Sequence, residues 1–166
     1  MDSAAILAEL PRLRRYARAM VGDRAAADDL VQDTLERAWS RFAQWRPDSD
    51  LRAWLFGIMH NLRVDQLRRP GLKTLPMYEE EFEVPTRATQ TDRLEVSDLE
   101  SALARLPEEQ RAVVLLVALE EMSYDEAAST LGIPIGTVMS RLSRGRERLR
   151  LILEGRQPPT NLRVVR

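Results

Sequence analysis

The sequence contains no cysteine and a single histidine, His60, among its 166 residues. Without cysteine the chain can form neither disulfides nor thiolate metal sites, and it has no cysteine nucleophile. One histidine cannot build a metal site by itself. We therefore expect no metal and no cofactor, and the cytoplasm is the expected compartment.

Long apolar runs are also missing. The longest, Val113 to Leu119, is far shorter than the roughly 20 residues that a membrane-spanning helix needs. The N-terminus has no basic start before an apolar core, so we expect neither a secretory signal nor membrane insertion. The sequence has no Gly-rich phosphate loop, no His/Cys/Asp cluster and no serine elbow, and an enzyme is therefore not expected.

Charge is distributed unevenly along a chain whose net charge is -1. Residues 1–70 contain 12 basic and 10 acidic side chains, residues 71–100 contain 3 and 8, and residues 139–156 contain 6 and 2. Basic charge thus gathers near the end of each half, with acidic charge between them. This asymmetry indicates a polyanionic partner for particular faces of the protein.

Helical periodicity falls into two stretches, from about Ile6 to Arg69 and from about Leu94 to Leu153, and no alternating strand pattern competes with it. The stretch between them has three of the nine prolines and the acidic run Glu79 to Glu83, which favours an extended tether. We therefore predict an all-α fold of two small helical domains. The expected boundaries are 1–70 and 94–155 for the domains, 71–93 for the linker and 156–166 for a flexible tail.

Two helices are predicted in the first domain. Asp23 is expected to cap a helix from Arg24 to about Phe42. The next helix is expected to start near Asp50 and to stop before Pro70, because a residue preceding proline disfavours the helical conformation. Each carries an apolar stripe at spacings of three and four, which consists of Val31, Leu35, Ala38, Trp39 and Phe42 in the first and of Leu51, Trp54, Leu55, Ile58 and Leu62 in the second.

The second domain is expected to open with a short helix, followed by one that Pro107 starts. The run Val113 to Leu119 is apolar on every side of that second helix, which predicts that it is buried. The apolar residues of the short helix are Leu99, Ala102, Leu103 and Leu106.

The most specific local pattern is a helix-turn-helix signature near the C-terminus. Ser123 and Glu126 have the S-x-x-E spacing of a capping box, and Gly132 suits the left-handed residue that ends a helix. An Ile-Pro-Ile-Gly turn follows, and Thr137 is expected to cap a longer helix that carries arginines. The pattern favours DNA binding; the alternative is an antiparallel helix pair with a solvated arginine face.

Aromatic residues accompany basic ones in the first domain. Trp54 and Phe56 lie on a predicted helix that ends in arginines. Aromatic rings interleaved with cations suit unpaired bases, because every base has a face on which a ring can stack. For Trp54 the alternative is a place in the core, which its position in the apolar stripe favours.

Four segments resemble the sigma-2 and sigma-4 domains of extracytoplasmic-function RNA polymerase sigma factors of the sigma-70 family. They are Asp28 to Trp39, Asp50 to Arg69, Leu106 to Leu116 and the helix-turn-helix from Ser123 to Arg150. The resemblance runs from about Leu10 to Leu153, with four motifs in the family's order and spacing. The stretches Asp50 to Phe56 and Ser123 to Ala128 are similar to those of general-stress members. The resemblance implies a sigma factor that binds core RNA polymerase and directs promoter recognition, strand opening and transcription initiation for a stress or envelope regulon.

The resemblance also implies partners and site residues. The partners are core polymerase (through the β′ coiled coil and the β flap), promoter DNA and an anti-sigma factor. The plainer interpretations are dipole stabilisation for the first-turn aspartates and a solvated helix end for the arginines. The implied residues are Asp28, Asp29, Leu30, Gln32, Asp33, Thr34 and Trp39 for core polymerase, Phe56, Asn61, Asp65, Arg68 and Arg69 for the minus-ten element, and Thr137, Ser140, Arg141, Ser143, Arg144 and Arg146 for the minus-thirty-five element.

Two other interpretations remain open. An ordinary helix-turn-helix regulator accounts for the C-terminal half but leaves Asp28 to Arg69 unexplained. A sigma mimic that binds an anti-sigma factor without using promoters is disfavoured by the basic recognition helix. We also expect the domains of the free protein to pack on each other or on an anti-sigma factor, hiding both DNA faces, with Glu79 to Glu83 acting as countercharge or only as a solubilising segment.

Overall fold

The computed structural model describes residues 3–69 and 91–155, and every regular element within them is helical, which confirms the all-α prediction. Helices α1 to α4 form a first block and helices α5 to α8 a second block. The acidic run Glu79 to Glu83 and the expected tail lie outside the described residues. The helices are α1 Ser3–Ala8, α2 Leu10–Val21, α3 Arg24–Ser40, α4 Leu51–Arg68, α5 Thr91–Ala104, α6 Glu108–Val114, α7 Tyr124–Leu131 and α8 Ile135–Leu153, with a 3₁₀ turn at Phe42–Gln44 and a π-helical segment at Leu115–Leu119.

The predicted cap of α3 is confirmed, and α4 starts where it was expected, with Asp50 as its N-cap. The Asp23 carboxylate accepts a hydrogen bond from the Ala26 N–H at 2.9 Å, and the Asp50 carboxylate accepts one from the Arg52 N–H at 3.0 Å. Each carboxylate satisfies one of the N–H groups that the first turn of a helix leaves without a partner. The starts of the two helices that carry most of the candidate residues are thus fixed locally.

Large side chains hold α2, α3 and α4 together in the first block. Tyr16 on α2 meets Phe56 on α4 edge to face, with ring centroids 5.1 Å apart. Leu13, Leu30 and Leu55 are fully buried in the same core. An edge-to-face pair adds stability beyond the area that it buries. This core fixes the orientation of α3 and α4 and so decides which of their side chains face outward.

The predicted apolar stripes are buried only in part. Val31, Ala38, Leu55 and Ile58 are buried as predicted. The placement of Trp39 in the apolar stripe that faces the core is wrong, because its side chain is 53% exposed. It lies in the last turn of α3, which borders a groove beside α1 instead of facing the core.

The capping box at the start of α7 is confirmed. The Ser123 hydroxyl accepts a hydrogen bond from the Glu126 N–H at 3.0 Å, and the Glu126 carboxylate accepts one from the Ser123 N–H at 2.9 Å. Gly132 ends the helix in the left-handed conformation, with φ +70°, and its N–H donates to the Ala128 carbonyl. A side chain at this φ is strained, so glycine is the residue that this helix end favours.

Thr137 does not cap the second helix of the helix-turn-helix, contrary to the prediction. α8 begins at Ile135, with Pro134 as its N-cap. The Pro134 carbonyl accepts hydrogen bonds from the N–H groups of Thr137 and Val138 at 3.0 and 3.2 Å, so Thr137 already lies in the first helical turn. Proline needs no partner for an N–H and has a fixed φ, which makes it suitable for the position just before a helix.

The start of the second block differs from its prediction in two respects. α5 begins at Thr91, inside the expected linker, and ends at Ala104, so Leu106 is buried beyond the helix end and not within it. Leu99 is 42% exposed. In the run Val113 to Leu119, the residues up to Leu116 are buried, Val117 and Leu119 are half-buried against the core, and Ala118 is exposed.

The two blocks pack against each other. On α4, a Cβ at Gly57 would lie 3.6 Å from the Thr130 carbonyl oxygen of α7, so the two helices approach closely there. The Arg111 guanidinium of α6 donates to the Met20 carbonyl near the end of α2 and to the Leu103 carbonyl of α5. Cations favour the carbonyl ends of helices, and Arg111 thereby connects both blocks.

Candidate polymerase and promoter interfaces

Four of the residues assigned to polymerase binding share the exposed face of α3. Asp28, Asp29, Gln32 and Asp33 are exposed. The Asp28 carboxylate lies 3.9 Å from the Arg18 guanidinium, an ion pair with both side chains about half exposed. Such a surface pair is weak, so the carboxylates remain available to a basic partner.

Two residues of the same assignment lie in the core. Leu30 is 1% exposed and Thr34 is 0% exposed. The Thr34 hydroxyl donates a 2.7 Å hydrogen bond to the Leu30 carbonyl, which satisfies the buried hydroxyl within the helix. Because the helical period places these two residues toward α2 and α4, direct contact of either with a partner does not fit this structure.

An apolar groove borders the acidic face and was not anticipated from the sequence. It has a volume of about 480 Å³ and lies between α1 and the last turns of α3. Trp39 and Leu7, the latter 55% exposed, contribute its most accessible apolar surface, and Ile6 and Leu35 form its base. The apolar pair Ile6 and Leu7 was a signal in the sequence, but its position beside Trp39 depends on how α1 packs.

Of the residues assigned to the minus-ten element, four are exposed and one is buried. Asn61, Asp65, Arg68 and Arg69 are exposed at the C-terminal half of α4 and just beyond it. Phe56 is 1% exposed and packs on Tyr16, so its assignment as a DNA-contacting residue does not fit this structure. The stripe pattern had marked neighbouring Leu55 as core, but the core of this block is wide enough to take Phe56 as well.

Trp54 lies in an aromatic cluster at the loop between α3 and α4. Its ring centroid is 6.3 Å from those of Phe42 and Trp45, and it packs against the core while remaining half-buried. The core interpretation of Trp54 is therefore the better one. The cluster braces the 3₁₀ turn and the start of α4 against each other.

The minus-thirty-five assignments lie on α8. Thr137, Ser140 and Arg141 are half-buried. The Ser140 hydroxyl donates to the Thr137 carbonyl at 3.2 Å, as is common for serine within a helix. The remaining three assigned residues, Ser143, Arg144 and Arg146, are exposed.

Apolar side chains accompany these polar residues on α8. Met139 is 47% exposed and Ile135 38% exposed. Met139 lines a shallow groove of about 440 Å³ with Tyr124, Ser143 and Arg146. Exposed apolar groups beside serine and arginine are typical of a helix that meets base edges and thymine methyl groups in the major groove.

His60, in the second half of α4, is half-buried and is influenced by charges of both blocks. Its pKa is lowered from the ordinary value, first by burial and then by the charge of Arg141 on α8, while Glu108 acts in the opposite direction. Arg141 and His60 belong to different blocks. The charge of Arg141 therefore acts on His60 across the contact between the two blocks.

Other kinds of site find no support in residues 3–69 and 91–155. No group of three or more His, Cys, Asp or Glu side chains there is arranged to hold a metal ion. Likewise, no helix in this part of the chain is both long enough and apolar enough to cross a membrane.

Each half of the chain matches the model of a known protein family. The family model for the sigma2 domain of PhyR matches residues 6–60. The model for region 4 of sigma-70 matches residues 97–149. The two matches fall in the first and second blocks and cover most of the described residues.

Individual relatives agree with the family matches. The ECF RNA polymerase sigma factor EcfG of Rhodopseudomonas palustris is 38% identical over 149 residues, which is 89% of this chain and 82% of that protein. Among solved structures, the sigma factor RpoE of Bartonella quintana in complex with the anti-sigma factor NepR is 35% identical, with a TM-score of 0.77 over 92% of this chain and 96% of that one. CnrH in complex with the cytosolic domain of CnrY is 29% identical, with a TM-score of 0.69 over 92% of this chain and 87% of the other.

The relatives are sigma factors, which position RNA polymerase and are not themselves enzymes. The sequence match to EcfG extends over most of both proteins, and the two blocks carry the sigma domains in the family's order. The chain therefore belongs to the extracytoplasmic-function RNA polymerase sigma factors, and it functions in promoter recognition and transcription initiation.

Proposed function

We propose that this sigma factor binds core RNA polymerase through the outer face of α3. The observation that carries the proposal is the combination of exposed carboxylates and an apolar groove on one side of a single helix. Carboxylates steer and orient a basic partner, and an apolar groove accepts the anchoring side chains that provide most of the affinity. A basic amphipathic helix fits such a surface. The family resemblance implies that this partner is the β′ coiled coil. The surface consists of Asp28, Asp29, Gln32, Asp33 and Trp39.

The exposed end of α4 is the proposed contact for the minus-ten element. Arg68 and Arg69 suit phosphates, and the Asn61 amide can both donate to and accept from base edges. Asp65 lies on the same exposed stretch and can accept hydrogen bonds from base amino groups. Phe56 is left out of this surface, and its part is to hold α4 in place from the core.

The part of α8 from Thr137 to Arg146 is the proposed contact for the minus-thirty-five element. Ser143 and Arg144 point outward and can reach base edges, while Arg146 is placed to meet phosphates. Thr137, Ser140 and Arg141 are half-buried and belong to the same proposed surface. The β flap of polymerase is a further expected contact of the second block, as the resemblance implies.

The domain boundaries and an anti-sigma partner are also proposed. The family matches at 6–60 and 97–149 fall inside the expected domains 1–70 and 94–155 and support that division. One similar structure is of a sigma factor in complex with an anti-sigma factor, RpoE with NepR, and another is of CnrH in complex with the cytosolic domain of CnrY. On this basis we propose that an anti-sigma factor controls this chain too.

Run-off transcription with purified core polymerase over genomic fragments tests the polymerase surface. Asp29→Arg places a cation where a basic partner is expected, and like charges in an interface weaken binding strongly. We expect affinity for core polymerase and transcript yield to fall by roughly tenfold or more. Asp98→Arg, the same charge change at an exposed position of α5, is the matched control. Equal behaviour of the two folded variants would contradict the assignment of α3.

A further inference from the structure

The outward side of α8 carries apolar side chains beside the polar residues assigned to DNA. Met139 is 47% exposed, and Ile135, which lies four positions earlier and so one turn away on the same side of the helix, is 38% exposed. Val138 and Leu142 of the same helix are buried in the core. Met139 therefore lies on the solvent side of α8, where packing of the core does not account for it.

Met139 is accessible although the two blocks are in contact. Both Met139 and Ser143, one turn further along α8, are exposed. The expectation that packing of the domains hides both DNA faces is thus wrong for this side of α8. A duplex can reach Met139 in the conformation that the structure describes.

Small residues surround Met139 on the exposed side. Gly136 precedes it by three positions, Ser140 follows it directly and Ser143 lies one turn further on. A Cβ at Gly136 would meet no atom within 4 Å, so the space beside this turn is open. Because these neighbours are short, bases can come close to the backbone of α8, and the long, flexible methionine side chain extends beyond them.

Positive charge frames Met139. Arg146 lines the same shallow groove, and Arg144 is exposed nearby on α8. Glu147 also lines the groove, but its carboxylate accepts hydrogen bonds from the Arg150 guanidinium at 2.6 and 3.3 Å, which offsets its repulsion of phosphates. Guanidinium groups attract phosphates, so an apolar centre with a basic frame favours DNA over an apolar protein segment as its partner.

A methionine can read few groups in the major groove. Its thioether donates no hydrogen bond and accepts only weakly, so it cannot do what arginine does at guanine or asparagine at adenine. The apolar group that base edges offer there is the C5 methyl of thymine. Contact between that methyl and the Met139 side chain removes apolar surface of both from water, which stabilises the complex.

We infer that Met139 is a specificity-determining residue that recognises the C5 methyl of a thymine in the minus-thirty-five element, with Ile135 extending the apolar contact toward the start of α8. The inference rests on the proposed contact of α8 with that element, and it assigns one base preference within it. Arginines of the same helix then provide contacts to phosphates and guanines, and Met139 favours a thymine at its own step.

Replacement of thymine by deoxyuridine tests the inference, because it removes the C5 methyl and keeps every base-pairing group. Full-length protein is assembled with core polymerase, and affinity is measured for promoter fragments that run-off transcription has mapped. Each thymine of the minus-thirty-five element, on either strand, is replaced in turn. The test variant is Met139→Ala, which keeps a strong helix former at an exposed position. Leu153→Ala, which removes a 48% exposed apolar side chain from the last turn of α8, is the matched control.

We expect deoxyuridine to weaken binding of the wild-type protein by about fourfold at one or two thymines, the effect of taking one methyl-sized group out of an apolar contact. Met139→Ala should lose this dependence and keep its affinity for core polymerase, whereas Leu153→Ala should retain the dependence. Met139→Lys should also lose it. Because lysine adds a cation near the phosphates, that variant should steepen the salt dependence of binding by about one counterion.

Two results would overturn the inference. One is a deoxyuridine effect that is equal in wild-type protein and Met139→Ala at every position, and the other is the absence of any thymine whose methyl matters to the wild-type protein. Arg144→Ala distinguishes this failure from failure of the proposed function. If Arg144→Ala weakens binding to the element and Met139→Ala leaves the methyl dependence unchanged, the role of Met139 alone is wrong. If neither variant changes binding, the assignment of α8 to the element is wrong as well.

Discussion

The two blocks use different means to pack helices of the same kind. The first fills its core with large side chains, among them Tyr16 and Phe56 in edge-to-face contact. The second has a core of aliphatic side chains, and within it α8 approaches α6 closely at the buried Gly145. Packing by large side chains is sensitive to the removal of side-chain volume, and packing by closely approaching helices is sensitive to added side-chain volume.

The blocks also differ in where they place charge. The first presents carboxylates outward on α3 and turns Arg15 and Arg63 toward its neighbour. The second presents arginines outward on α8 and turns Glu108 and Glu120 toward the first. On α3 and on α8 the outward charge is therefore opposite in sign to the charge that the same block contributes to the pairs Arg15–Glu120 and Arg63–Glu108.

The largest effect is expected from removing bulk in the first block. Leu30→Ala deletes a side chain that is 1% exposed, and the lost burial and the resulting cavity should lower the free energy of unfolding by about 2–5 kcal/mol. Asp29→Ala, at the adjacent exposed position, should change it by less than about 0.5 kcal/mol. Urea denaturation measures both. Similar free energies of unfolding for the two variants would contradict the division of α3 into a buried side and an exposed binding side.

A smaller loss is expected from adding bulk to the second block. A Cβ at Gly145 would lie 2.8 Å from a Val114 methyl group and 3.4 Å from the Cβ of Gln110. Valine has little rotational freedom in a helix, so it cannot move aside easily. Gly145→Ala should therefore lower stability by about 1–3 kcal/mol, visible as a reduced Tm.

Gly136 on the same helix provides the control for that prediction. A Cβ there meets no atom within 4 Å, and alanine loses less conformational freedom on folding than glycine. Gly136→Ala should therefore leave the Tm unchanged or raise it slightly. A stable Gly145→Ala variant would show that α6 and α8 are not packed as closely as the structure has them.

The smallest effect concerns pH and connects the two blocks. Burial lowers the pKa of His60 below its ordinary 6.5, Arg141 lowers it further, and Glu108 opposes both. A depressed pKa in the folded state means that stability is present above pH 6.5 and is lost as pH falls through the folded value. We expect His60→Gln to reduce the loss of stability on acidification.

Nuclear magnetic resonance can follow His60 directly, because it is the only histidine in the chain. In wild-type protein its pKa should lie below 6.5, because burial, the largest cause, disfavours the charged imidazolium. A wild-type pKa at or above 6.5 would contradict the burial of His60 between the two blocks.

Local patterns in the sequence were sufficient to predict a structural feature wherever that feature depends only on residues close together in the chain. The cap Asp23, the start of α4 near Asp50, the capping box of α7 and the left-handed Gly132 were all predicted, because each is built within one turn of the chain. The misplaced cap at Thr137 shows the limit of such patterns. There, proline and threonine both suit a helix start, and only the hydrogen bonds of the Pro134 carbonyl decide between them.

By itself the sequence determined the all-α class, the division into two helical blocks and the family, because periodicity, caps and motif order are local and linear properties. Only the tertiary structure decided which side of each helix is accessible. Leu30, Thr34 and Phe56 carry motif positions yet are buried, since burial depends on which helices pack around them. The contact of Arg15 with Glu120 joins residues 105 positions apart, and no local pattern indicates it. It exists because a buried carboxylate must find a cation, and in the folded chain that cation comes from the other block.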